Sequence, residues 1–280
     1  MAVALALLSS VLWGAADFLG GTVSRRRAVG LVVGGGQVVG LAGLLVGAGA
    51  VGAFGADTGY VWWAIGAGLA GLVGLVAFYA ALAAGTMGVV SPIAALGVIV
   101  PVLAGLAQGE RPSTPQLVGI AVAIGGVVLA SGPELAGKAG ARPVALAVVA
   151  AVMFGVTLLC IAEGSDDSPL MTLVTMRVAS VGVMAAVGAV LWSRGARGWA
   201  RLDRRDALLI AVLGAGDATA NLAFGEASTR GLVSIVGVLG SLYPVVTVLM
   251  ARSFHAERLA RPQVLGVVGA LGGVALIAAG

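Results

Sequence analysis

Polar and charged residues interrupt this chain at short intervals and leave long apolar runs between them. A transmembrane helix needs roughly 20 predominantly apolar residues. Breaking the chain at its charged, proline-containing and polar clusters therefore predicts an all-α membrane protein with ten transmembrane helices. No segment between them is long enough to form a soluble domain. The predicted spans are 2–22, 28–54, 60–84, 87–108, 115–132, 143–162, 169–192, 207–225, 231–251 and 262–279.

The composition agrees with a membrane environment. Hydrophobic residues make up 60% of the chain and charged residues only 10%, whereas an average soluble domain carries about 25% charged residues. The 46 glycines suit closely packed membrane helices. Despite the net charge of +4, the basic residues fall in short gaps between apolar runs, so no nucleic-acid partner is predicted. With a single cysteine, Cys160, and a single histidine, no disulfide, metal site or cofactor is predicted.

An internal repeat divides the chain into two parts. The segment ERPSTPQLVG at 110–119 recurs as ERLARPQVLG at 257–266, an offset of 147 that persists through the following Gly-Gly-Val. We therefore predict two five-helix repeats, 1–134 and 143–280. Because five is odd, a shared fold requires the second repeat to enter the membrane from the opposite side, as in many transporters. The repeated loop is interpreted as a helix-to-helix turn with a local ion pair; a direct substrate role is the alternative.

Several short motifs carry a family resemblance. They are Trp13-Gly14 in the first span, Ser91-Pro92 in the fourth, Tyr243-Pro244 in the ninth, and the two Glu-Arg loops, each followed by a glycine-rich helix. In this order and duplicated, they make the chain similar to the EamA family of the drug/metabolite transporter superfamily over nearly its whole length. The resemblance implies ten helices in two inverted repeats around a central cavity. Family members move amino acids, other metabolites, sugars or drugs, usually outward.

The two halves depart from the family pattern at a few positions. Gly97 stands where the second half has Pro244, and Pro101 follows one helical turn later. The counterpart of Trp13 in the second half is Phe154, which precedes Gly155. These departures leave the positions of the helix kinks open.

Ionisable residues inside spans are costly and are candidates for function. Asp17 lies one helical turn after Trp13 and hence on its face. A carboxylate beside an aromatic ring could hold a cationic or amphipathic substrate, or exchange protons. Alternatively, Asp17 lies near the interface and pairs with the loop that contains Arg25, Arg26 and Arg27.

A second polar group lies in spans two, seven and eight. Asp217 and Asn221 are spaced i, i+4 and share a helix face. Arg177 needs a partner at its depth in the membrane, and Asp217 is the first candidate, with Asp17 second. Gln37 is the approximate counterpart of Arg177 in the repeat. Each of these side chains could line a cavity or join helices.

Tyr79 and Tyr243 are further cavity candidates, unless neighbouring backbone groups satisfy their hydroxyls. No catalytic residues and no metal ligands are predicted. The predicted substrate-binding or coupling residues are Trp13, Asp17, Gln37, Tyr79, Arg177, Asp217, Asn221 and Tyr243.

The basic residues fall on alternate loops. One side of the membrane holds Arg25, Arg26, Arg27, Lys138, Arg142, Arg194, Arg197, Arg201, Arg204, Arg205, Arg252, Arg258 and Arg261. The other side holds only Arg111 and Arg230, together with several carboxylates. The positive-inside rule makes the first side cytoplasmic and places both termini outside. The family resemblance instead implies cytoplasmic termini, whereas the charge bias favours termini on the outside.

The sequence predicts a secondary transporter, most simply an exporter, in the plasma or inner membrane. Its partners are a small-molecule substrate and the lipid bilayer, and it acts as a monomer or homodimer. Proton coupling through Asp17 or Asp217 and uncoupled export both fit the sequence. The absence of a GxxxxGK[ST] loop argues against ATP-driven pumping by this chain. The alternatives are a non-transporting membrane scaffold and a membrane-embedded enzyme.

Overall fold

A computed structural model describes residues 1–55, 57–85, 87–130, 141–194, 202–255 and 261–280, and contains no strand among them. Lys138, Arg197, Arg201, Arg258 and the second Glu-Arg loop lie outside the described residues, as do the side chains of Pro92 and Arg252. The helices are α1 (Ala2–Ser24), α2 (Val29–Val51), α3 (Val61–Ala84), α4 (Met87–Ala95), α5 (Ile99–Ala107), α6 (Thr114–Ala130), α7 (Ala141–Ser165), α8 (Pro169–Ser193), α9 (Arg204–Ser228), α10 (Val233–Gly240), α11 (Tyr243–His255) and α12 (Arg261–Ala279).

Six of these helices, α1, α2, α3, α7, α8 and α9, are long and apolar enough to cross a membrane. The remaining predicted spans coincide with shorter apolar helical stretches, Ile93–Ala107, Thr114–Leu129, Val233–Thr247 and Val264–Ile277. The all-α prediction is thus confirmed for the described residues, and the long spans fall where the apolar runs predict them.

Two of the predicted spans are broken near their middle. A 3₁₀ turn, Leu96–Val98, separates α4 from α5, and Ser241 and Leu242 separate α10 from α11. Pro101 lies in the first turn of α5 and Pro244 in the first turn of α11. A proline is tolerated there because the first helical N–H groups have no partner within the helix. The breaks lie beside the prolines that the sequence offers as kink positions.

The contacts between helices of the first half and helices of the second half come in matching sets. α3 packs on α7 and α1 on α9; α2 packs on α9 and α3 on α8; α1 packs on α11 and α7 on α5. α2 also packs on α8, and α6 packs along α12. The backbones of α6 and α12 approach closely, since a Cβ atom on Gly126 would lie 2.8 Å from the Gly266 carbonyl oxygen. Small residues at this contact are what the membrane environment favours.

Both chain ends lie on one face of the bundle. Ala2 contacts Gly231, and Gly280 contacts Ser113 in the loop before α6. On this face, burial, with the neighbouring carboxylates of Glu163 and Asp167, raises the pKa of Asp166 above its ordinary value.

Ion pairs connect the loop after α1 to the start of α9, at the other end of α1. Asp206, 1% exposed, accepts hydrogen bonds from Arg26 and, at 2.6 Å, from Arg27 Nε. The hydrogen bond to Asp206 raises the pKa of Arg27 above its ordinary value. Asp203, the N-cap of α9, lies 3.3 Å from Arg27 Nη2. The alternative in which Asp17 pairs with this arginine loop is therefore wrong for Arg26 and Arg27.

Glu110, in the repeated loop, does not form the expected local ion pair with Arg111. Its carboxylate instead accepts hydrogen bonds from the N–H groups of Val233 and Ser234, the latter at 3.0 Å. These donors are the first N–H groups of α10, which have no partner within the helix, and a negative charge there also interacts favourably with the helix dipole. The repeated loop at Glu110 is therefore a structural turn, but the hydrogen-bond partners of Glu110 belong to the second half of the chain.

Glu110→Gln is expected to lower the free energy of unfolding by about 1 kcal/mol, because it removes the charge from this helix cap. The matched control is Glu226→Gln, which removes a partly exposed i, i+4 pair with Arg230 and should cost less than about 0.5 kcal/mol. Thermal unfolding of both variants in the same detergent compares them. Equal losses would contradict the capping role of Glu110.

Candidate functional site: a central cavity

A cavity of about 730 Å³, including the part open to solvent, lies between the two halves. Its wall combines α1, α2 and α3 with α7, α8 and α9, and it reaches the breaks between α4 and α5 and between α10 and α11. The structure brings together seven of the eight predicted site residues at this wall, namely Trp13, Asp17, Gln37, Arg177, Asp217, Asn221 and Tyr243.

Arg177 is the most deeply buried charge at the cavity, with a side chain 1% exposed. Its Nη2 forms an ion pair with the Asp217 carboxylate, and its Nη1 donates to Gln37 Oε1 at 2.5 Å. Gln37 Oε1 also accepts from the Ser180 hydroxyl at 2.9 Å. A charge at this depth is retained only when it is paired and hydrogen-bonded. The predicted pairing of Arg177 with Asp217 is confirmed.

Asp217 and Asn221 lie side by side on α9, as their spacing predicts. Asn221 Nδ2 donates to the Asp217 backbone oxygen at 2.7 Å and to Asp217 Oδ1 at 3.2 Å. The Asp217 side chain keeps 17% of its surface exposed. The two oxygens of this carboxylate are therefore shared between Arg177 and Asn221 at the cavity wall.

Asp17 differs from Asp217 in its surroundings. Asp17 is 8% exposed and lines the cavity. Within the described part of the chain, no hydrogen-bond donor or cation contacts its carboxylate. Its charged neighbour is the Asp217 carboxylate, which repels it. Asp17 thus presents an uncompensated carboxylate to the cavity.

Aromatic rings from both halves border the cavity. Trp13 packs on Phe224 with ring centroids 5.6 Å apart, and Phe154 packs on Phe78 at 5.5 Å. The Tyr243 hydroxyl donates to the Ser91 carbonyl oxygen at 3.5 Å. Tyr243 therefore combines both of its predicted alternatives, because it lines the cavity while its hydroxyl bonds to backbone.

Tyr79 is the predicted site residue that the structure places outside the cavity wall. It is 2% exposed, and its ring lies 5.9 Å from that of Phe78. A Cβ atom on Gly20 would lie 2.5 Å from the Tyr79 hydroxyl oxygen, so the ring fills the space that this glycine leaves. Tyr79 is a core residue of the α1–α3 packing.

The cavity also contains residues that the sequence did not single out as a site. Ser180 positions Gln37, and Phe154 and Thr157 line the wall from α7. Two signals were present. Ser180 follows Arg177 at i+3 and so shares its helix face, and Phe154 is the repeat counterpart of Trp13.

Comparison with known proteins identifies the chain. Residues 141–279 match the sequence model of the EamA-like transporter family. The chain belongs to this family. The EamA-like family is part of the drug/metabolite transporter superfamily, so the protein is a multi-pass membrane transporter of that type, with a small-molecule substrate and a lipid environment.

A solved structure described as "Crystal structure of protein" resembles this EamA-like transporter in fold. The TM-score is 0.77 at 19% sequence identity, and the match covers 98% of this chain and 95% of the other. At this identity the likeness concerns the fold alone. No curated protein sequence matches the chain.

Proposed function

We propose that this EamA-like transporter is a secondary transporter that exports small metabolites, amino acids or drugs by alternating access at the central cavity. The observation that carries the proposal is a cavity between the two halves whose wall holds buried ionisable side chains. Such groups are expensive inside a membrane and mark substrate or ion pathways.

The proposal treats 1–134 and 143–280 as two inverted repeats. The helices of the described residues support this, because α1 to α6 and α7 to α12 follow the same order of three long helices, two short helices and one of intermediate length. The packing supports it as well. Exchanging each helix for its counterpart converts the α3–α7 contact into α9–α1, and the α2–α9 contact into α8–α3.

Side-chain contacts across the cavity follow the same exchange. Gln37 and Arg177, counterparts in the repeat, hydrogen-bond to each other, as expected of equivalent positions beside a two-fold axis. The pair Trp13 and Phe224 has its counterpart in Phe154 and Phe78. In transporters with such an axis in the membrane plane, the substrate site lies at the interface of the repeats.

In this proposal the cavity residues bind substrate or couple its movement. Asp17 and Asp217 are the groups that could carry a proton; export without coupling uses the same cavity. Trp13, Asn221 and Tyr243 contact the substrate, while Gln37 holds Arg177 in place. Tyr79 has no part in it. The protein acts in the plasma or inner membrane as a monomer or homodimer, and its termini lie outside according to the charge bias.

Transport by proteoliposomes tests the proposal. We expect saturable flux of at least one compound from a panel of amino acids, other metabolites and cationic drugs, measured with and without a proton gradient. If Asp17 or Asp217 carries the proton, Asp17→Asn or Asp217→Asn removes the gradient dependence. Asp57→Asn, in the exposed loop after α2, is the matched control and should behave as wild type.

Two results would count against the proposal. Absence of saturable flux for every compound contradicts a transporter that works through this cavity. Unchanged flux in both aspartate variants assigns these carboxylates structural roles.

A further inference from the structure

The cavity wall contains more acidic than basic side chains. Among the described residues that line it, there are two carboxylates, Asp17 and Asp217, and one guanidinium, Arg177. Arg177 and Asp217 form an ion pair and compensate each other. The ionisable group that remains is the Asp17 carboxyl group, which has no counterion among the described residues.

The surroundings of Asp17 leave its carboxylate open to a ligand in the cavity. More than nine-tenths of Asp17 is buried, it lines the cavity, and no cation or donor among the described residues contacts its carboxylate. An unpaired charge in such surroundings is costly. A ligand that brings one positive charge removes that cost.

Arg177 is not available to a ligand carboxylate. Its Nη1 donates to Gln37 and its Nη2 to Asp217. The side chain is 1% exposed, and its Nε is closed to solvent and has no hydrogen-bond partner. It lies against α2, where a Cβ atom on Gly40 would be 3.6 Å away. A substrate carboxylate would therefore meet no free guanidinium in this cavity.

The hydroxyl donors of the wall are also occupied. Thr157 donates to the Met153 carbonyl oxygen at 2.8 Å, and Ser241 to the Val238 carbonyl oxygen at 2.8 Å. An anionic group that bonds to these hydroxyls would have to displace their protein partners. An ammonium group needs only acceptors, and Asp17 offers two.

The rest of the wall is apolar. Trp13 lies one helical turn before Asp17 on the same face of α1, and Phe154 lines the wall from α7. Leu72, Leu75 and Val98 also line the cavity. An aromatic face within reach of a cation adds to its binding, and the apolar wall accommodates an uncharged body.

We infer that the cavity selects organic amines that carry one positive charge, an apolar or aromatic body and no carboxylate, with the ammonium group on Asp17. This inference rests on the proposed function and narrows it, because it favours amines over amino-acid zwitterions of the same size.

Four probes of matched shape test the inference by calorimetric binding to the full chain in lipid nanodiscs. They are 2-phenylethylamine, phenylalanine, 3-phenylpropionate and 2-phenylethanol, which at neutral pH are cationic, zwitterionic, anionic and uncharged. We expect 2-phenylethylamine to bind most tightly. Asp17→Asn should weaken its binding about tenfold or more, Asp17→Glu should restore part of it, and Asp166→Asn, outside the cavity, should leave it unchanged.

The wild-type comparison decides the inference even if the Asp17 variants fold poorly. Phenylalanine or 3-phenylpropionate binding as tightly as 2-phenylethylamine, or no binding of 2-phenylethylamine, would overturn it. Amine binding that is unaffected by Asp17→Asn in a folded protein would also overturn it. None of these results removes the transporter proposal, which depends on saturable flux of some compound from the wider panel.

Discussion

Replacing Asp217 with asparagine is expected to destabilise the protein by about 3 kcal/mol, the lower end of the range for breaking a buried ion pair. The substitution keeps the shape of the side chain and removes the only carboxylate that pairs with Arg177 in the described structure. The guanidinium, 1% exposed, is then left charged and without a counterion. The lower end applies because Asp217 borders the cavity and keeps part of its surface exposed.

A double-mutant cycle separates the broken pair from a general loss of packing. Arg177→Met removes the charge that Asp217→Asn leaves unpaired, so the double variant should be more stable than Asp217→Asn alone. Thermal unfolding of the four proteins in one detergent measures this. Losses that simply add in the double variant would show that the two side chains do not stabilise each other.

Gly126→Ala is expected to destabilise the α6–α12 contact by about 1–3 kcal/mol, as overpacking of a tight interface does. Its new methyl group would lie 2.8 Å from the Gly266 carbonyl oxygen and 2.8 Å from Ala270 Cα. Both are backbone atoms, which cannot rotate away. In an open position the same substitution would instead favour the helix by about 0.5–1 kcal/mol.

The chain supplies matched controls for this substitution in both halves. Gly125 is adjacent to Gly126, but apart from its chain neighbours and its own helix backbone no atom lies within 4 Å of its Cβ position. Gly273 and Gly272 are the counterparts of Gly126 and Gly125 at the repeat offset of 147. A Cβ atom on Gly273 would meet the backbone of α6, whereas one on Gly272 would lie in open space. Gly125→Ala and Gly272→Ala should be neutral or slightly stabilising, while Gly273→Ala should match Gly126→Ala. Equal stability of all four variants in thermal unfolding would contradict this packing.

Much of the fold follows from the sequence because the membrane imposes strong rules on it. A helix that spans the apolar core must be long and apolar, so charged clusters mark its ends. The Arg177–Asp217 pair could likewise be predicted from the sequence, since a buried cation demands a carboxylate at the same depth. The pattern does not show which helices are neighbours, and so it did not reveal that Glu110 caps α10.

The site was predicted well where burial of a charge limits the choices and less well where only packing decides. Asp17, Arg177 and Asp217 are rare residue types inside spans, and each lines the cavity. Tyr79 was selected by residue type, but its placement depends on the space left by Gly20, which lies far away in sequence. Ser180 does not stand out in the sequence, because a serine in a membrane helix commonly bonds to its own backbone.

Access to the cavity from each side of the membrane tests the central claim most directly. Ser241 lines the cavity, and Cys160 is the only native cysteine, so Ser241→Cys in a Cys160→Ala background introduces a single cavity thiol. Ser193→Cys, at the exposed end of α8, reports the orientation in oriented proteoliposomes because it should react from one side only. Alternating access predicts that an impermeant thiol reagent labels residue 241 from either side. Labelling from one side only, or from neither, would contradict a cavity that opens to both sides in turn.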